Sequence, residues 1–106
     1  MKLMNMPEAV TDWSELIATR VSGASGVAQA RAHQVGDVQL RLVELADHWC
    51  AKGHVLYVVS GALAIEHQDG TPARNLSAGM SWCVGDGEGS AHRVRSETGA
   101  TVFIVD

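Results

Sequence analysis

The stretch Asp47-His48-Trp49-Cys50-Ala51-Lys52-Gly53-His54 runs directly into the apolar segment Val55-Leu56-Tyr57-Val58-Val59 and stops at Ser60-Gly61. It contains three potential ligands for a soft metal, namely His48, Cys50 and His54, within a span of seven residues. A fourth candidate, His92, lies downstream in a second glycine-rich segment. Nitrogen and sulfur ligands of this kind are typical of zinc and other late transition metals, so the pattern predicts a metal site.

The spacing of these residues also predicts an arrangement. Side chains alternate across a β-strand, so His48 and Cys50 are expected on the same face. If the chain stays extended after a short turn at Lys52-Gly53, His54 begins a face that continues with apolar residues, as at the mouth of a pocket in a barrel or sandwich. The two faces of this strand would be His54, Leu56 and Val58 on one side and Val55, Tyr57 and Val59 on the other.

Several residues around this pattern have simpler interpretations. Leu56, Tyr57 and Trp82 are candidates for lining the pocket, although packing in the core or at an interface is the favoured interpretation for the two aromatic residues. Cys83 is expected to be a small buried apolar side chain, the common fate of a free cysteine. His67 lies beside the turn signal Asp69-Gly70 and is expected to be solvated.

The composition limits the classes of protein that fit. A chain of 106 residues predicts one domain, and 46% hydrophobic with 19% charged residues is ordinary for a folded globular protein. The net charge of −4 provides no basic stripe for phosphates, so nucleic acid is not an expected partner. There is no apolar run long enough for a membrane helix and no signal-peptide pattern, which predicts a cytoplasmic protein. Cys50 and Cys83 are then expected to be thiols, and a disulfide between them is kept as an alternative.

Short strand-like runs separated by turn signals dominate the chain from residue 26 onward. They predict an all-β sandwich or barrel, and the parallel α/β classes are excluded because no long helical period is present. Residues 1–25 read as an N-terminal extension with one or two helical turns after Asp12, and residues 26–106 as a single domain. The predicted strands are Val27–Gln34, Val38–Leu45, His54–Ser60, Ala62–His67, Leu76–Val84 with an interruption at Ala78-Gly79, His92–Ser96 and Ala100–Val105.

Two segments resemble the motifs of the cupin superfamily. The run His48-x-Cys50-x-x-x-His54 with Gly61 seven residues later is similar to the first motif, in which two histidines and a glutamate precede a strand that ends in glycine. The segment Gly79–Gly87 followed by His92 is similar to the second. Matched by position, His48 and Cys50 take the places of the two motif histidines, His54 that of the glutamate and His92 that of the second-motif histidine.

This resemblance, which spans roughly residues 38–106, implies a double-stranded β-helix, the jelly-roll barrel of RmlC-like cupins. The segment around Asp47–Cys50 is more narrowly similar to small bacterial single-domain cupins that carry a DHCW-type motif. The departures are Cys50 and His54 in place of histidine and glutamate, Gly85 at the usual proline, and a loop before His92 that is two residues longer.

The ligand set indicates a divalent transition metal such as zinc, nickel, copper or iron(II) rather than magnesium or calcium, which prefer oxygen. Four protein ligands would make a closed structural site. Three histidines without Cys50 would leave a position for water or substrate. A polar pocket without metal is the alternative to both.

Two classes of function remain open. The first is a metal-dependent enzyme of the dioxygenase or isomerase type acting on a small metabolite. The second is a small-molecule-binding or sensing module without catalysis, which the replaced glutamate favours because no carboxylate remains in the ligand set to act as a base. We favour a metal-binding cupin that holds a divalent transition metal and a small-molecule ligand in the barrel pocket, with its activity undetermined.

Hydrophobic surface in excess of what a small domain covers predicts a homodimer. The segment around Trp13, Leu16 and Ile17 is apolar, and the last strand is apolar on both faces at Val102-Phe103-Ile104-Val105.

Overall fold

The computed structural model describes residues 6–22, 27–44, 49–50, 54–85 and 91–106, without the side chains of residues 21–22, 27–28, 49–50 and 54. Within these ranges the chain forms one short 3₁₀ helix and antiparallel strands, which confirms the all-β expectation. No helix in the described ranges combines the length and hydrophobicity that crossing a bilayer requires. The elements are η1 (Trp13–Glu15), β1 (Thr19–Ser22), β2 (Val27–Val35), β3 (Val38–Glu44), β4 (Trp49–Cys50), β5 (His54–His67), β6 (Arg74–Ser77), β7 (Ser81–Val84), β8 (His92–Arg95) and β9 (Ala100–Val105).

The long strand β5 organises the fold. The strand order is β1-β2-β3-β9-β5-β8-β4, and β6 and β7 also pair with β5. The first half of β5 lies between β9 and β7, and the second half of β5 lies between β8 and β6. One strand therefore belongs to both halves of the barrel and connects the region near His54 with the region near His67.

A β-bulge in the middle of β5 reverses which residues face the interior. The register runs from Val58 paired with Val102 to Ser60 paired with Thr101, so Val59 is the extra residue. Leu56 and Val58 are buried before the bulge, and residues of opposite parity are buried after it. The bulge thus keeps buried side chains on the inner face in both halves of one continuous strand.

Gly61 is the residue at which the sequence predicts that this strand ends, and that expectation is wrong. The strand continues to His67, with Gly61 in the left-handed region at a φ of 81°. A Cβ atom at this position would collide with the carbonyl oxygen of Gly99 and lie 2.9 Å from Cα of Ala100. Glycine therefore serves a close approach of two strands here rather than a turn.

The hydrophobic core lies between the two halves of the barrel. It is built from alternating positions of the strands, as expected for sheets with one buried face. His92 is buried together with this apolar cluster and is only 1% exposed. The buried members of the cluster are Val43, Leu56, Val58, Leu63, Ile65, Leu76, Ala100, Val102 and Ile104.

The N-terminal segment packs on the outer face of the sheet. Its predicted helix is a single 3₁₀ turn, capped by Asp12, whose carboxylate accepts from the backbone N–H of Ser14 at 3.1 Å. The chain is extended again at Leu16 and continues into β1. The Trp13 indole lies edge-on to the ring of Phe103, with centroids 5.7 Å apart. This contact covers part of the outer face of β9.

Two hydrogen bonds attach the same segment to β2. The hydroxyl of Thr11 lies 2.8 Å from Nδ1 of His33, and Nε of Arg31 donates to the carbonyl oxygen of Leu16 at 3.2 Å. Residues 6–11 also border a groove against Val35 and Leu40. The outer face of β2 and β3 is thus contacted by the chain itself.

Candidate functional site

Three neighbouring strands bring candidate site residues into one row. Cys50 on β4 pairs with His92 on β8, and His92 pairs in turn with His67 on β5. Directly paired residues of adjacent strands stand on the same face of a sheet. The register therefore places two of the predicted ligand positions, Cys50 and His92, side by side.

His92 lies among aromatic rings inside the barrel. Its imidazole meets the Trp82 indole edge-on, with ring centroids 4.9 Å apart and planes at 63°. The His67 ring lies on another side of the same indole at 6.3 Å. Burial of an imidazole carries a desolvation cost that a bonding partner or a metal offsets.

A second row crosses the inner face of the other half of the barrel. Arg41 on β3 pairs with Ile104, Ile104 pairs with Leu56, and Leu56 pairs with Trp82 on β7. The row thus ends at the indole that contacts His92. Directly paired residues share a face, so all four members of this row face the interior of the barrel.

The predicted ligands are described to different extents. His92 is described in full, Cys50 and His54 are described by their backbone positions in β4 and β5, and His48 lies outside the described residues. His54 pairs with Val84 and precedes the buried residue Leu56 by two positions. Among the side chains that are described, no group of three histidine, cysteine, aspartate or glutamate residues is arranged around a common point. The four-ligand set therefore stays a prediction.

The donor chemistry of the row nevertheless fits a transition metal. A buried imidazole at His92 lies next to a cysteine position on the neighbouring strand, and nitrogen with sulfur is the combination that zinc, nickel and iron accept. Among the pocket candidates, Leu56 and Trp82 lie on the inner face.

Two expectations about single residues are corrected. Tyr57 is 46% exposed and stands on the outer face of β5, so it does not line the interior. Cys83 pairs with Val55 on the same outer face and is an exposed free thiol rather than a buried side chain. A Cys50–Cys83 bridge is accordingly not formed. Cys83 and Trp82 lie on opposite faces of β7, and the face that carries Cys83 is not covered at this point.

His67 was expected to be solvated, and it is half-buried beside Trp82 instead. The signal that could have identified it is the alternation of Leu63, Ile65 and His67 at the end of β5. These three residues share a face, and the first two are core residues. The turn at Asp69-Gly70 begins only after His67.

The outer side of this region carries an ion-pair network. Nη2 of Arg93 donates to Oε2 of Glu66 at 2.5 Å, and Nη1 of Arg95 lies 3.7 Å from Oε1. The hydrogen bond from Arg93 is the main cause that lowers the pKa of the Glu66 carboxyl, and Arg95 lowers it further. These arginines alternate with His92 and Val94 along β8. They stabilise the strand pair from outside while His92 faces inward.

Comparisons with solved structures agree with this architecture. No protein-family model and no curated protein sequence matches the chain, whereas 115 chains of solved structures do. Protein NMB1881 from Neisseria meningitidis matches with 27% identity and a TM-score of 0.63, over 73% of this chain and 80% of that one. An RmlC-like cupin from Shewanella frigidimarina matches with 16% identity and a TM-score of 0.73, over 96% and 92%. An Fe(II) form of HppE with an alternative substrate matches with 11% identity and a TM-score of 0.76, over 93% and 60%.

The strand β5, which belongs to both halves, forms an antiparallel barrel with the other strands, and the rings of His67, Trp82 and His92 lie together in its interior. The chain has the fold of the RmlC-like cupins. The fold that the resemblance to cupins implies is thereby confirmed.

Proposed function

We propose that this protein is a metal-binding cupin that holds a divalent transition metal and a small metabolite inside the barrel. The observation that carries the proposal is the burial of His92 at 1% exposure, next to the Cys50 position in the sheet register and in contact with Trp82. His48, Cys50, His54 and His92 are the proposed ligands. If Cys50 does not ligate, the three histidines leave a coordination position open for water or the metabolite.

The identity of the metal is proposed from the donor set. Imidazole and thiolate suit zinc, nickel and iron(II), and the Fe(II)-bound HppE that shares the fold supports iron as one member of this group. Hard cations such as magnesium are disfavoured because the proposed set contains no carboxylate. A cytoplasmic location, in which Cys50 stays reduced, is part of the same proposal.

The composition of the proposed ligand set also favours a second function. Without a glutamate among the ligands, no carboxylate stands in the proposed set to act as a base beside the metal. A binding or sensing module without metal and without turnover is the alternative that this absence supports. The two functions differ in whether the purified protein contains metal.

Metal content measured by elemental analysis tests the proposal. The protein is purified without a metal-affinity tag, and the native chain is compared with His92→Ala and Cys50→Ala. We expect near-stoichiometric metal in the native protein and its loss in His92→Ala, with His33→Ala as the control because His33 bonds to Thr11 on the outer face. Retention of metal in Cys50→Ala would select the open three-histidine site. Absence of metal in the native protein would support the metal-free module instead.

A homodimer completes the proposal. Val55, Tyr57 and Val59 form an exposed apolar row on the outer face of β5. Val55 and Tyr57 pair with Val105 and Phe103 of β9, so the apolar surface continues across two strands. A second copy of the chain, meeting the first through this surface, would cover it on both protomers at once.

A further inference from the structure

We propose that Arg41, held in position by Asp106, binds the carboxylate of a small anionic ligand inside the barrel. The inference rests on the proposed function, because it names the chemical class of the metabolite held beside the candidate metal site. Arg41 stands on the inner face of the sheet, where the paired residues of its row are apolar or aromatic. A positive charge among apolar side chains costs desolvation energy, so a partner or a function must account for it.

Arg41 reaches the interior through its register. It pairs with Ile104, a core residue, and shares the face of Val43, which is also in the core. Three inter-strand steps of about 4.8 Å each lead from β3 to Trp82 on β7. Because Trp82 contacts His92, the row ends at the candidate metal site. The arginine at its other end faces the same interior of the barrel.

The contact with Asp106 orients the guanidinium. Nη2 of Arg41 donates to Oδ2 of Asp106 at 2.8 Å, and the Asp106 side chain is only 1% exposed. The backbone of Asp106 is fixed in turn by two hydrogen bonds with Gln39, at 2.6 and 3.0 Å. A buried carboxylate needs a cation, so Asp106 accounts for the presence of Arg41 in part.

The pairing leaves donors of Arg41 uncommitted. A guanidinium carries five N–H donors, and the contact with Asp106 uses one of its three nitrogens. The Arg41 side chain is 26% exposed, so part of it is open to a ligand. Among the described residues, its Nε–H is buried and has no hydrogen-bond partner. Unsatisfied buried donors are costly and mark places where a ligand or an ordered water belongs.

The pair also lies at the end of the barrel where the predicted ligand His54 begins its strand. Val55 pairs with Val105, and one residue beyond this pair stand His54 and Asp106. The register thus brings the Arg41–Asp106 pair next to a position of the proposed metal site. A ligand held by the metal would reach Arg41 with a group at its other end.

A carboxylate is the group that this arrangement favours. The planar guanidinium matches a carboxylate through two parallel N–H donors. A phosphate dianion would be repelled more strongly by the nearby Asp106 carboxylate. Apolar atoms of the ligand would pack against Leu56 and Ile104. The ligand class is therefore a small carboxylate with an apolar part.

Binding of propionate, compared with its neutral analogue propionamide, tests the inference. The probes are titrated into ¹⁵N-labelled protein, and the indole N–H of Trp82 and the amides of Leu56 and Ile104 are followed by NMR. We expect saturable shifts with propionate and much smaller shifts with propionamide. Arg41→Met should weaken propionate binding about tenfold or more, and Arg41→Lys should weaken it less, because charge-assisted hydrogen bonds are the strong ones. Arg95→Met is the control, since Arg95 faces outward and is half exposed.

A second variant guards against loss of folding. Arg41→Met removes one cation from the buried Asp106, whereas Arg41→Met combined with Asp106→Leu removes both charges of the pair together. Loss of propionate binding in either folded variant, with metal content unchanged, supports the inference. Equal propionate affinity in the native protein and these variants, equal binding of the two probes, or no saturable propionate shift would overturn it. Metal content is measured on the same samples, so a native protein without metal would count against the proposed function alone.

Discussion

The Trp82 indole and the His92 imidazole meet edge-on inside the barrel, with their centroids 4.9 Å apart. The indole comes from β7 and the imidazole from β8, so the contact joins the two halves of the barrel across its interior. It also places a fluorescent side chain against a proposed metal ligand.

Binding of Ni²⁺ at His92 should therefore quench the fluorescence of Trp82, because a paramagnetic ion near the indole provides a non-radiative path. Two single-tryptophan proteins test this. One keeps Trp82 through Trp13→Phe and Trp49→Phe, and the other keeps Trp13 through Trp49→Phe and Trp82→Phe. We expect saturable loss of most of the emission from the first and little change in the second, since Trp13 packs on the outer face against Phe103. Equal quenching in both would contradict a site at His92.

Gly61→Ala should destabilise the protein strongly. A non-glycine residue in the left-handed region costs about 1–2 kcal/mol, and collision with the backbone at Gly99 adds to this, for a total of about 3 kcal/mol or more. Gly70→Ala is the matched control, because Gly70 has a φ of 86° and nothing within 4 Å of a Cβ. Urea denaturation of both variants gives the two free energies of unfolding. Similar losses would mean that the close approach between β5 and Gly99 has no energetic weight.

Trp13→Ala should loosen the N-terminal segment from the sheet. Trp13 is half-buried against Phe103, so its removal should lower the free energy of unfolding by about 1–3 kcal/mol, below the cost for a fully buried tryptophan. Ile17→Ala serves for comparison, because Ile17 is 90% exposed and its removal should change stability by less than about 0.5 kcal/mol. Chemical denaturation followed by circular dichroism measures both. An effect of Ile17→Ala as large as that of Trp13→Ala would argue that the segment packs differently.

Glu66→Gln should remove a pH-dependent contribution to stability. Arg93 and Arg95 lower the pKa of Glu66 in the folded protein, so its stabilising effect is fully present above the unfolded pKa near 4.5 and is lost as the pH falls through the lower folded value. The native protein should exceed the variant in stability at pH 7, and the difference should shrink below pH 4.5. Glu44→Gln is the control, because Glu44 pairs with the uncharged residues Gln29 and Thr101. A stability difference that does not change with pH would rule out the ion pairs as its source.

Tyr57→Asp should produce monomers if the outer face of β5 is the dimer contact. A charge in the middle of the exposed row at Val55, Tyr57 and Val59 would have to be buried without a partner at the interface. Light scattering at micromolar concentration should give a two-chain mass for the native protein and a one-chain mass for the variant. Val10→Asp, at an exposed N-terminal position, should leave the mass unchanged. A one-chain mass for the native protein would exclude the dimer.

Local patterns predicted most of the strands because alternation and turn residues act over a few positions. Val38–Glu44 and Ala100–Val105 lie close to their predicted limits for this reason. The continuation of β5 through Gly61 was missed, because the same glycine suits a turn and a close approach, and only the distant Gly99 decides between them.

The sequence predicted which types of residue the candidate site contains, but it did not predict which residues surround them. His92 was found from its motif, while His67 was missed although it shares the face of Ile65. Cys83 was expected to be buried, yet its exposure depends on which faces of the sheet the N-terminal segment covers. That segment contacts Phe103 and borders a groove with Leu40, and both residues are far from Cys83 in the sequence. Coverage of a face is a property of the whole chain.

The bulge at Val59 sets the direction of the side chains in the second half of β5. If Val59 paired with β9 as an ordinary residue, regular alternation from Val58 onward would turn Leu63, Ile65 and His67 toward solvent, whereas changing the Val59 side chain would alter only a half-exposed position. A pocket redesigned for another ligand can therefore vary the side chains of this strand, but it must keep the bulge between His54 and His67.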